Sequence, residues 1–271
     1  MSPQAREPST SHGAARQAEP REVPSSVPVI EVKGLHKSFG EHKVLDDINL
    51  KIGTGKTRVI LGGSGSGKTV LMKHMIGLLK PDSGQVLVDG EDIVPLTGEP
   101  LVEVRRKFGM VFQQAALFDS MTVFDNVAFP LIEHSKFSPS EIRDRVEAKL
   151  KVLGLMEAQK RFPSDLSGGM RKRAGLARAL ISDPKIVLYD EPTTGLDPIT
   201  TANVDEMIME AKQNFGVTSV VISHDIASAL RVADEVAFLY EGKIVEDTNP
   251  TDLRKSKHPF VEKFLSTWFD R

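Results

Sequence analysis

Eight consecutive residues of this chain have the types and the spacing of a phosphate-binding loop. They fit the pattern G-x-x-x-x-G-K-[ST] without a mismatch and run Gly62-Gly63-Ser64-Gly65-Ser66-Gly67-Lys68-Thr69. Glycines in such a loop let backbone N–H groups surround a phosphate oxyanion. Lys68 is then placed to neutralise charge between the β- and γ-phosphates, and Thr69 to ligate Mg²⁺. The pattern predicts a nucleoside triphosphate site, with a ligand-free glycine-rich turn as the alternative.

Two adjacent acidic residues, Asp190 and Glu191, follow a short apolar run further along the chain. Neighbouring side chains of a strand point in different directions, so the two carboxylates need not do the same chemistry. We expect Asp190 to hold Mg²⁺, usually through water, and Glu191 to act as general base toward an attacking water. Two solvated acids at the end of a strand are the alternative for a pair that has no phosphate loop beside it.

Several elements must bring these residues together. Residues 58–61 are typical of a buried strand, and residues 68–79 of a helix whose N-terminus faces the anion. Two further apolar runs, 185–189 and 219–223, are typical of parallel strands buried on both faces, with a crossover helix over residues 199–214 between them.

The remaining patterns predict an antiparallel β layer and a helical insertion around this core. The expected strands are 29–35, 43–52 and 85–88, and residues 104–112 return the chain to the main sheet. One helix is expected from Thr122 through Phe129, broken by Pro130, and another from Ser138 to Leu153, stopped by Gly154. The predicted fold class is α/β, a P-loop NTPase with an antiparallel β layer and a helical subdomain at about residues 115–166.

Composition limits the class of protein further. The 271 residues are 40% hydrophobic and 27% charged, with a net charge of −2 and no cysteine. We therefore expect neither disulfides nor thiolate metal sites, and no nucleic acid bound through bulk charge. Residues 1–28 have almost no large apolar side chains and are predicted to form a disordered tail. No run approaches the ~18 apolar residues of a membrane span, so any membrane role must come through a partner.

A third motif resembles the signature of the nucleotide-binding subunit of ABC transporters. Residues 166–170, Leu-Ser-Gly-Gly-Met, are close to L-S-G-G-Q and open a helix that continues through Leu180. An ordinary capped helix start is the alternative. The resemblance implies that Ser167, Gly168 and Gly169 reach across a head-to-tail dimer and close on the γ-phosphate held by the other subunit.

Four single residues match further positions of that family, in the family's order along the chain. Gln113, at the end of the strand Met-Val-Phe-Gln, matches the glutamine that senses Mg²⁺ and the attacking water. Asp197 lies in the loop that contacts the opposite subunit, and His224 matches the switch histidine that bonds to the γ-phosphate. Phe39 matches the aromatic position that stacks on adenine, although a phenylalanine of a β layer is commonly core. The resemblance covers about residues 29–250, which we take as one ATP-binding domain.

The resemblance implies an ATPase whose substrate is ATP and whose metal is Mg²⁺. The implied metal-binding residues are Thr69, Gln113 and Asp190, and the implied catalytic residues are Lys68, Gln113, Glu191 and His224. The implied partners are a second copy of the chain and a multi-span membrane permease similar to MlaE. Residues 115–121 occupy the place where the family docks a helix of its membrane subunit; a core role is equally open for each of them.

The signature continues in a way that resembles one branch of the family. The string Leu-Ser-Gly-Gly-Met-Arg-Lys-Arg-Ala is similar to the ATPases of Mla/Mce-type transporters, which move phospholipids between the inner and outer membranes. A solvated helix face is the alternative explanation of the basic triplet. This resemblance implies a peripheral protein on the cytoplasmic face of the inner membrane, with an Mce-domain lipid-binding protein and a small STAS-domain protein as partners. An amino-acid or other small-solute importer, or a soluble ABC ATPase, are the alternatives.

The C-terminal residues 251–271 are predicted to form a helical extension. Its apolar residues fall at helical spacing and make one stripe, which consists of Phe260, Val261, Phe264, Leu265 and Trp268. The stripe is expected either to pack on the chain's own domain or to bind a partner such as the STAS-domain protein.

Overall fold

The strands that carry the phosphate loop and the acidic pair lie in one sheet, and a single strand, the one that precedes His224, lies between them. The structure is a computed structural model that describes residues 27–113 and 115–269, except for the side chains of residues 268 and 269. The predicted disordered tail therefore lies outside the described residues up to position 26. The strands are β1 Ile30–Phe39, β2 His42–Ile52, β3 Thr57–Leu61, β4 Ser83–Val88, β5 Glu91–Asp92, β6 Phe108–Val111, β7 Ile186–Asp190, β8 Thr218–Ser223, β9 Glu235–Tyr240 and β10 Lys243–Thr248.

Helices cover both faces of this sheet and follow most of its strands. They are α1 Lys68–Met75, α2 Gly98–Arg105, α3 Val123–His134, α4 Pro139–Val152, α5 Gly168–Leu180, α6 Pro198–Phe215, α7 Ile226–Val232, α8 Pro250–Leu253 and α9 Pro259–Phe269. This order gives the predicted α/β class.

The main sheet brings the ends of its parallel strands to one edge. Over the described residues its strand order is β10-β9-β3-β8-β7-β6, parallel from β9 to β6, with β10 antiparallel to β9. In this register Leu61 lies opposite Ser223, and Asp190 lies opposite Ile222. The residues that follow β3, β7 and β8 therefore meet at the carboxyl edge of the sheet, which is where α/β folds bind ligands.

Alternate side chains of β3 pack into two different hydrophobic clusters. Val59 and Leu61 belong to the cluster that includes α3 to α7, whereas Ile60 belongs to the cluster that includes α1 and the β layer. The strand is buried on both faces, as expected for a parallel strand with elements above and below it.

The antiparallel β layer is confirmed. Its strand order in the described part of the chain is β2-β1-β4-β5, and β1 and β2 form a hairpin around Gly40 and Glu41. Strand β1 continues beyond its predicted end to Phe39, and β2 starts one residue before its predicted start, at His42.

Helix α1 ends earlier than predicted, at Met75 instead of position 79. Gly77 has a φ of +65° and its N–H donates to the carbonyl of His74, while the N–H of Leu78 donates to that of Lys73. These two bonds form a Schellman cap, in which a left-handed residue stops the helix.

The prediction that Pro130 breaks a helix is wrong. Helix α3 starts at its predicted cap, because the Thr122 hydroxyl accepts from the N–H of Asp125, but it runs through Pro130 to His134. Proline removes one backbone donor, and the buried residues Val127 and Leu131 on either side hold the helix against the core.

Residues 104–112 return the chain to the main sheet, as predicted, but only some of them form a strand. Val104 belongs to the eight-residue helix α2, and the strand β6 covers only Phe108–Val111. Helix α4 starts as predicted, with Ser138 and Glu141 forming a capping box.

Candidate nucleotide-binding and hydrolysis site

The phosphate loop connects β3 to α1 through backbone positions that admit only glycine without strain. A methyl group at Gly62 would lie 2.4 Å from the carbonyl oxygen of Leu239, and Gly67, at the start of α1, has a φ of +102°. The loop therefore lies tightly against β9 on one side and turns directly into the helix on the other. The predicted strand–loop–helix context is present.

Lys68 lies folded over this loop. Its ammonium donates to the carbonyl oxygens of Gly62 and Gly63, both at 2.9 Å, and lies 3.5 Å from Oε1 of Glu191. Burial lowers the pKa of Lys68, and the nearby Glu191 carboxylate opposes this shift. The lysine and the predicted general base therefore face each other at the loop.

Glu191 is held by three side chains. Its Oε2 accepts from the Thr194 hydroxyl at 2.9 Å and lies 2.8 Å from Nδ1 of His224, while Oε1 faces Lys68. An ionised Glu191 accepts from His224, so Nδ1 carries the proton in this arrangement. Glu191 has a φ of +49°, a left-handed conformation that costs a non-glycine residue energy and that is found at functional sites.

Asp190 points to the other side of the strand end, toward α1. The Thr69 hydroxyl donates to its Oδ1 at 3.4 Å. Burial raises the pKa of Asp190, and the bond from Thr69 lowers it. The described residues contain no group of three or more His, Cys, Asp or Glu side chains that could hold a metal. Two oxygen donors nevertheless fit Mg²⁺, which proteins often bind through one or two side chains, water and substrate phosphates.

The side chains of Lys68, Thr69, Glu191 and His224 line a cavity of about 470 Å³, and Asp190 is not part of its lining. Its lining residues are Gly63, Ser64, Gly65, Lys68, Thr69, Glu191, His224 and Phe264. The sequence prediction missed Thr194 and Phe264. A hydroxyl three residues after the base was a local signal for Thr194, whereas nothing near Phe264 in the sequence indicates that the C-terminal helix reaches this cavity.

Other predicted residues lie away from the cavity in this chain. Gln113 is exposed in the turn after β6, which ends at Val111, so the prediction that Gln113 ends a strand is wrong. Asp197 caps α6 by accepting from the N–H groups of Ile199 and Thr200, and its bonds to Thr200 lower its pKa.

The signature residues lie at the exposed N-terminus of α5. The Ser167 hydroxyl accepts from the N–H of Met170 at 3.3 Å, while Gly168 and Gly169 form the first turn of the helix. Phe39, at the end of β1, keeps 49% of its surface exposed, with the Lys37 ammonium 5.5 Å from the centre of its ring. It is not a core residue. The adenine role of Phe39 and the cross-dimer role of the signature stay predictions.

The C-terminal stripe packs on the chain's own domain. Val261 and Leu265 are buried, Phe264 contacts Phe238 at a ring separation of 5.1 Å, and Phe260 stacks on Tyr240 at 3.8 Å. The side chain of Trp268, the last member of the stripe, lies outside the described residues. The core interpretation is confirmed for the four described members.

A second, larger depression of about 1000 Å³ lies between β6 and the helices α3 to α5. We call it the apolar groove. Its aromatic lining is Phe108, Phe112, Phe118, Phe129 and Phe137, and its cations include Arg105, Arg106, Arg145 and Arg178. Of the segment 115–121, Ala115 is buried core, whereas Ala116 and Phe118 line the groove.

Residues 45–194, more than half of the chain, match the family described as ABC transporter. This chain belongs to the ABC transporter family. The chain is an ATP-hydrolysing, ATP-binding subunit of an ABC transporter. In the described part of the chain, no helix has both the length and the hydrophobicity that a membrane span needs.

Two curated relatives carry different names for their cargo. The chain is 46% identical over 237 residues to the "Probable ribonucleotide transport ATP-binding protein mkl" of Mycobacterium leprae. The alignment covers 88% of this chain and 68% of that protein. It is 41% identical over 237 residues to the "Intermembrane phospholipid transport system ATP-binding protein MlaF" of Haemophilus influenzae. This alignment covers 88% of this chain and 90% of that protein.

Solved ABC structures have the same fold. The cbiO1 protein of Clostridium perfringens, described as part of an ABC transporter complex, is 30% identical with a TM-score of 0.80, covering 91% of this chain and 97% of that one. A dimeric ATP-binding cassette solved in a post-hydrolysis state with ADP and Pi is 33% identical with a TM-score of 0.72, covering 82% and 98%.

Proposed function

We propose that this ABC subunit binds MgATP as a dimer, hydrolyses it with Glu191 as general base, and drives a membrane permease that moves phospholipid. The observation that carries the hydrolytic part is the Glu191 carboxylate held between Lys68, Thr194 and His224 at the phosphate loop. These three contacts fix the orientation of a carboxylate that lines the cavity beside the phosphate loop, as a general base requires.

The chain's own residues supply charge and orientation for phosphoryl transfer. The loop N–H groups and Lys68 bind the phosphates, and Glu191 takes the proton of the water that attacks the γ-phosphorus while the bond to ADP breaks. His224 holds Glu191 through its Nδ1–H, and the imidazolium form would also donate its Nε2–H to the γ-phosphate. Thr69 and Asp190 would hold Mg²⁺, which neutralises charge on the phosphate oxygens when it is bound.

The exposed signature supports a dimer. Ser167, Gly168 and Gly169 lie at a helix N-terminus, where backbone N–H groups and the helix dipole favour an anion, yet they do not line the cavity of their own chain. A second copy placed head to tail would bring them to the γ-phosphate, with Gln113 and Asp197 beside the closed site. The solved cassette described as dimeric, with ADP and Pi bound, is a relative that forms a dimer.

The apolar groove is the place where we propose the permease docks. It combines exposed aromatic side chains with cations, and it begins at the turn that carries Gln113, so a docked helix would sense changes next to the nucleotide. Exposed aromatic side chains and arginines are enriched in protein–protein interfaces, and the groove combines both. This docking would place the chain on the cytoplasmic face of the inner membrane.

Phospholipid is the cargo supported by the MlaF relative, which this chain matches over 90% of its length. The chain spans about two thirds of the mycobacterial relatives, whose name concerns ribonucleotides. An Mce-domain protein and a small STAS-domain protein complete the proposed complex. A ribonucleotide transporter or a small-solute importer would use the same ATP site with a different permease.

One experiment separates these possibilities. The Glu191→Gln variant, tagged in the native host, is purified from gently solubilised membranes with MgATP, and proteins and lipids are identified by mass spectrometry. We expect a stable dimer with a permease, an Mce-domain protein and phospholipid. The same variant with MgADP, which lacks the γ-phosphate, is the matched control and should stay monomeric when free of permease. A permease with a solute-binding protein would refute the lipid cargo, and normal ATP hydrolysis by Glu191→Gln would refute the base.

A further inference from the structure

Lys172 differs from its neighbours in the basic triplet that follows the signature. Arg171 and Arg173 are exposed, but the Lys172 side chain is 8% exposed, because α5 turns this position toward the main sheet. A solvated helix face therefore does not describe Lys172. Burying a lysine costs free energy unless its N–H donors are hydrogen-bonded, so we expect the ammonium of Lys172 to have partners inside the protein.

The ammonium of Lys172 donates to the backbone of two loops. It donates to the carbonyl oxygen of Gln113 at 3.2 Å and makes a short hydrogen bond to the carbonyl oxygen of Pro192. Among the described residues, no carboxylate lies within ion-pair distance of it, and burial lowers its pKa. The positive charge is thus satisfied by two carbonyl groups that lie far apart in the sequence.

Both loops belong to the hydrolytic machinery of the same chain. Pro192 directly follows Glu191, the base, and Gln113 is the residue expected to sense Mg²⁺ and water. Helix α5 holds the Gln113 turn at a second place, where Arg178 donates to the carbonyl oxygens of Ala115 at 2.9 Å and Ala116 at 2.7 Å. Lys172 differs from Arg178 because it also contacts the loop of the base.

In the proposed dimer, the N-terminus of α5 would face the ATP held by the second copy. This end of α5 carries Ser167, which in the proposed dimer contacts the nucleotide held by the second copy, five positions before Lys172. We propose that Lys172 is a positioning residue that joins the two ATP sites, by fixing the signature helix of one site to the Gln113 and Glu191 loops of the other. This inference rests on the proposed dimer.

The Lys172→Met variant tests the proposal in the assembled transporter. Methionine has similar length and no donors, so it keeps the packing and removes both bonds. We expect kcat to fall about tenfold or more, since charge-assisted bonds orient the base, and the Hill coefficient for ATP to fall from about 2 toward about 1. Affinity of the isolated chain for a fluorescent ATP analogue should stay within about twofold, because Lys172 does not line the cavity. Lys151→Met, at an exposed position of α4, is the control for loss of a lysine.

A chemical rescue separates the charge from the packing. Because the chain has no cysteine, Lys172→Cys can be alkylated in denaturant and refolded, with the wild type taken through the same cycle. Aminoethylation restores an ammonium at the same reach, and propylation gives the same shape without the charge. We expect the aminoethyl form to recover kcat and the Hill coefficient and the propyl form to remain like Lys172→Met.

The outcomes that overturn the proposal differ from those that overturn the dimer. If Lys172→Met keeps the wild-type kcat and Hill coefficient, or if the propyl form recovers as well as the aminoethyl form, Lys172 does not position the loops. If kcat, nucleotide affinity and melting temperature all fall together, its role is structural only. If the wild type itself lacks cooperativity and Glu191→Gln fails to dimerise, the proposed function is wrong, and this result appears before any Lys172 variant is made.

Discussion

Replacing Gly62 by alanine tests whether the phosphate loop is held against β9 as the structure shows. The added methyl group would lie 2.4 Å from the carbonyl oxygen of Leu239 and 2.7 Å from Oγ of Ser66. The first contact is with backbone, so rotating a side chain cannot relieve it. Overpacking of this kind costs about 1–3 kcal/mol. With an unfolding entropy of about 2.1 cal/mol/K per residue, the melting temperature should fall by roughly 2–5 °C.

Gly63→Ala is the matched control, because a methyl group there meets nothing within 4 Å and the residue does not have a left-handed φ. Its melting temperature should be unchanged or slightly higher, since alanine restricts the unfolded chain. Both variants are melted without nucleotide, because both positions belong to the loop that we propose binds the phosphates. If the two melt at the same temperature, the close approach of loop and strand is refuted. A second measurement, of nucleotide affinity, should show weaker binding for Gly62→Ala, since Lys68 donates to the displaced carbonyl.

Two further predictions concern stability. Burial raises the folded-state pKa of Asp190 above its unfolded value, so its contribution to stability is fully present below the unfolded pKa and is lost as pH rises through the folded pKa. Asp190→Asn should therefore make the nucleotide-free chain more stable at pH 7 in thermal melts, with the difference vanishing in acid, and an unchanged difference across this range would contradict the assignment. Thr122→Ala should lower the free energy of unfolding by about 0.5–2 kcal/mol in urea, because its hydroxyl caps α3. Thr97→Ala, whose side chain caps nothing at the start of α2, is the control, and equal losses in both variants would argue against the cap.

Sequence predicted the residues of the site that lie in contiguous motifs. Lys68 and Thr69 follow a loop whose function is local, and Glu191 and His224 directly follow apolar runs that become neighbouring parallel strands. The order of the strands then brings their ends together without further information. For this reason Lys68, Glu191 and His224, which were predicted to act at one site, lie beside one another in the structure, while their chemical roles stay predictions.

The remaining features depend on contacts between distant segments. Phe264 reaches the cavity because α9 packs on Phe238 of β9, and Lys172 is buried because α5 lies against β6. Neither contact can be predicted from the residues close to it in the sequence. Pro130 was expected to end α3, but the packing of the helix outweighs one missing hydrogen bond. Gln113 and the signature residues lie apart from the cavity in a single chain, so neither sequence nor fold alone tests their roles.

The position of α9 also gives the protein an internal optical probe. The sequence has a single tryptophan, Trp268, and it lies in this helix one turn beyond Phe264, which lines the nucleotide cavity. Its fluorescence can be excited separately from that of the tyrosines, so one emitter reports on one helix. Rapid mixing with ATP or ADP should therefore allow the movements of the C-terminal helix to be timed in the unlabelled protein. The change in emission of a Phe264→Leu variant would show how much of the signal depends on the Phe264 side chain at the cavity.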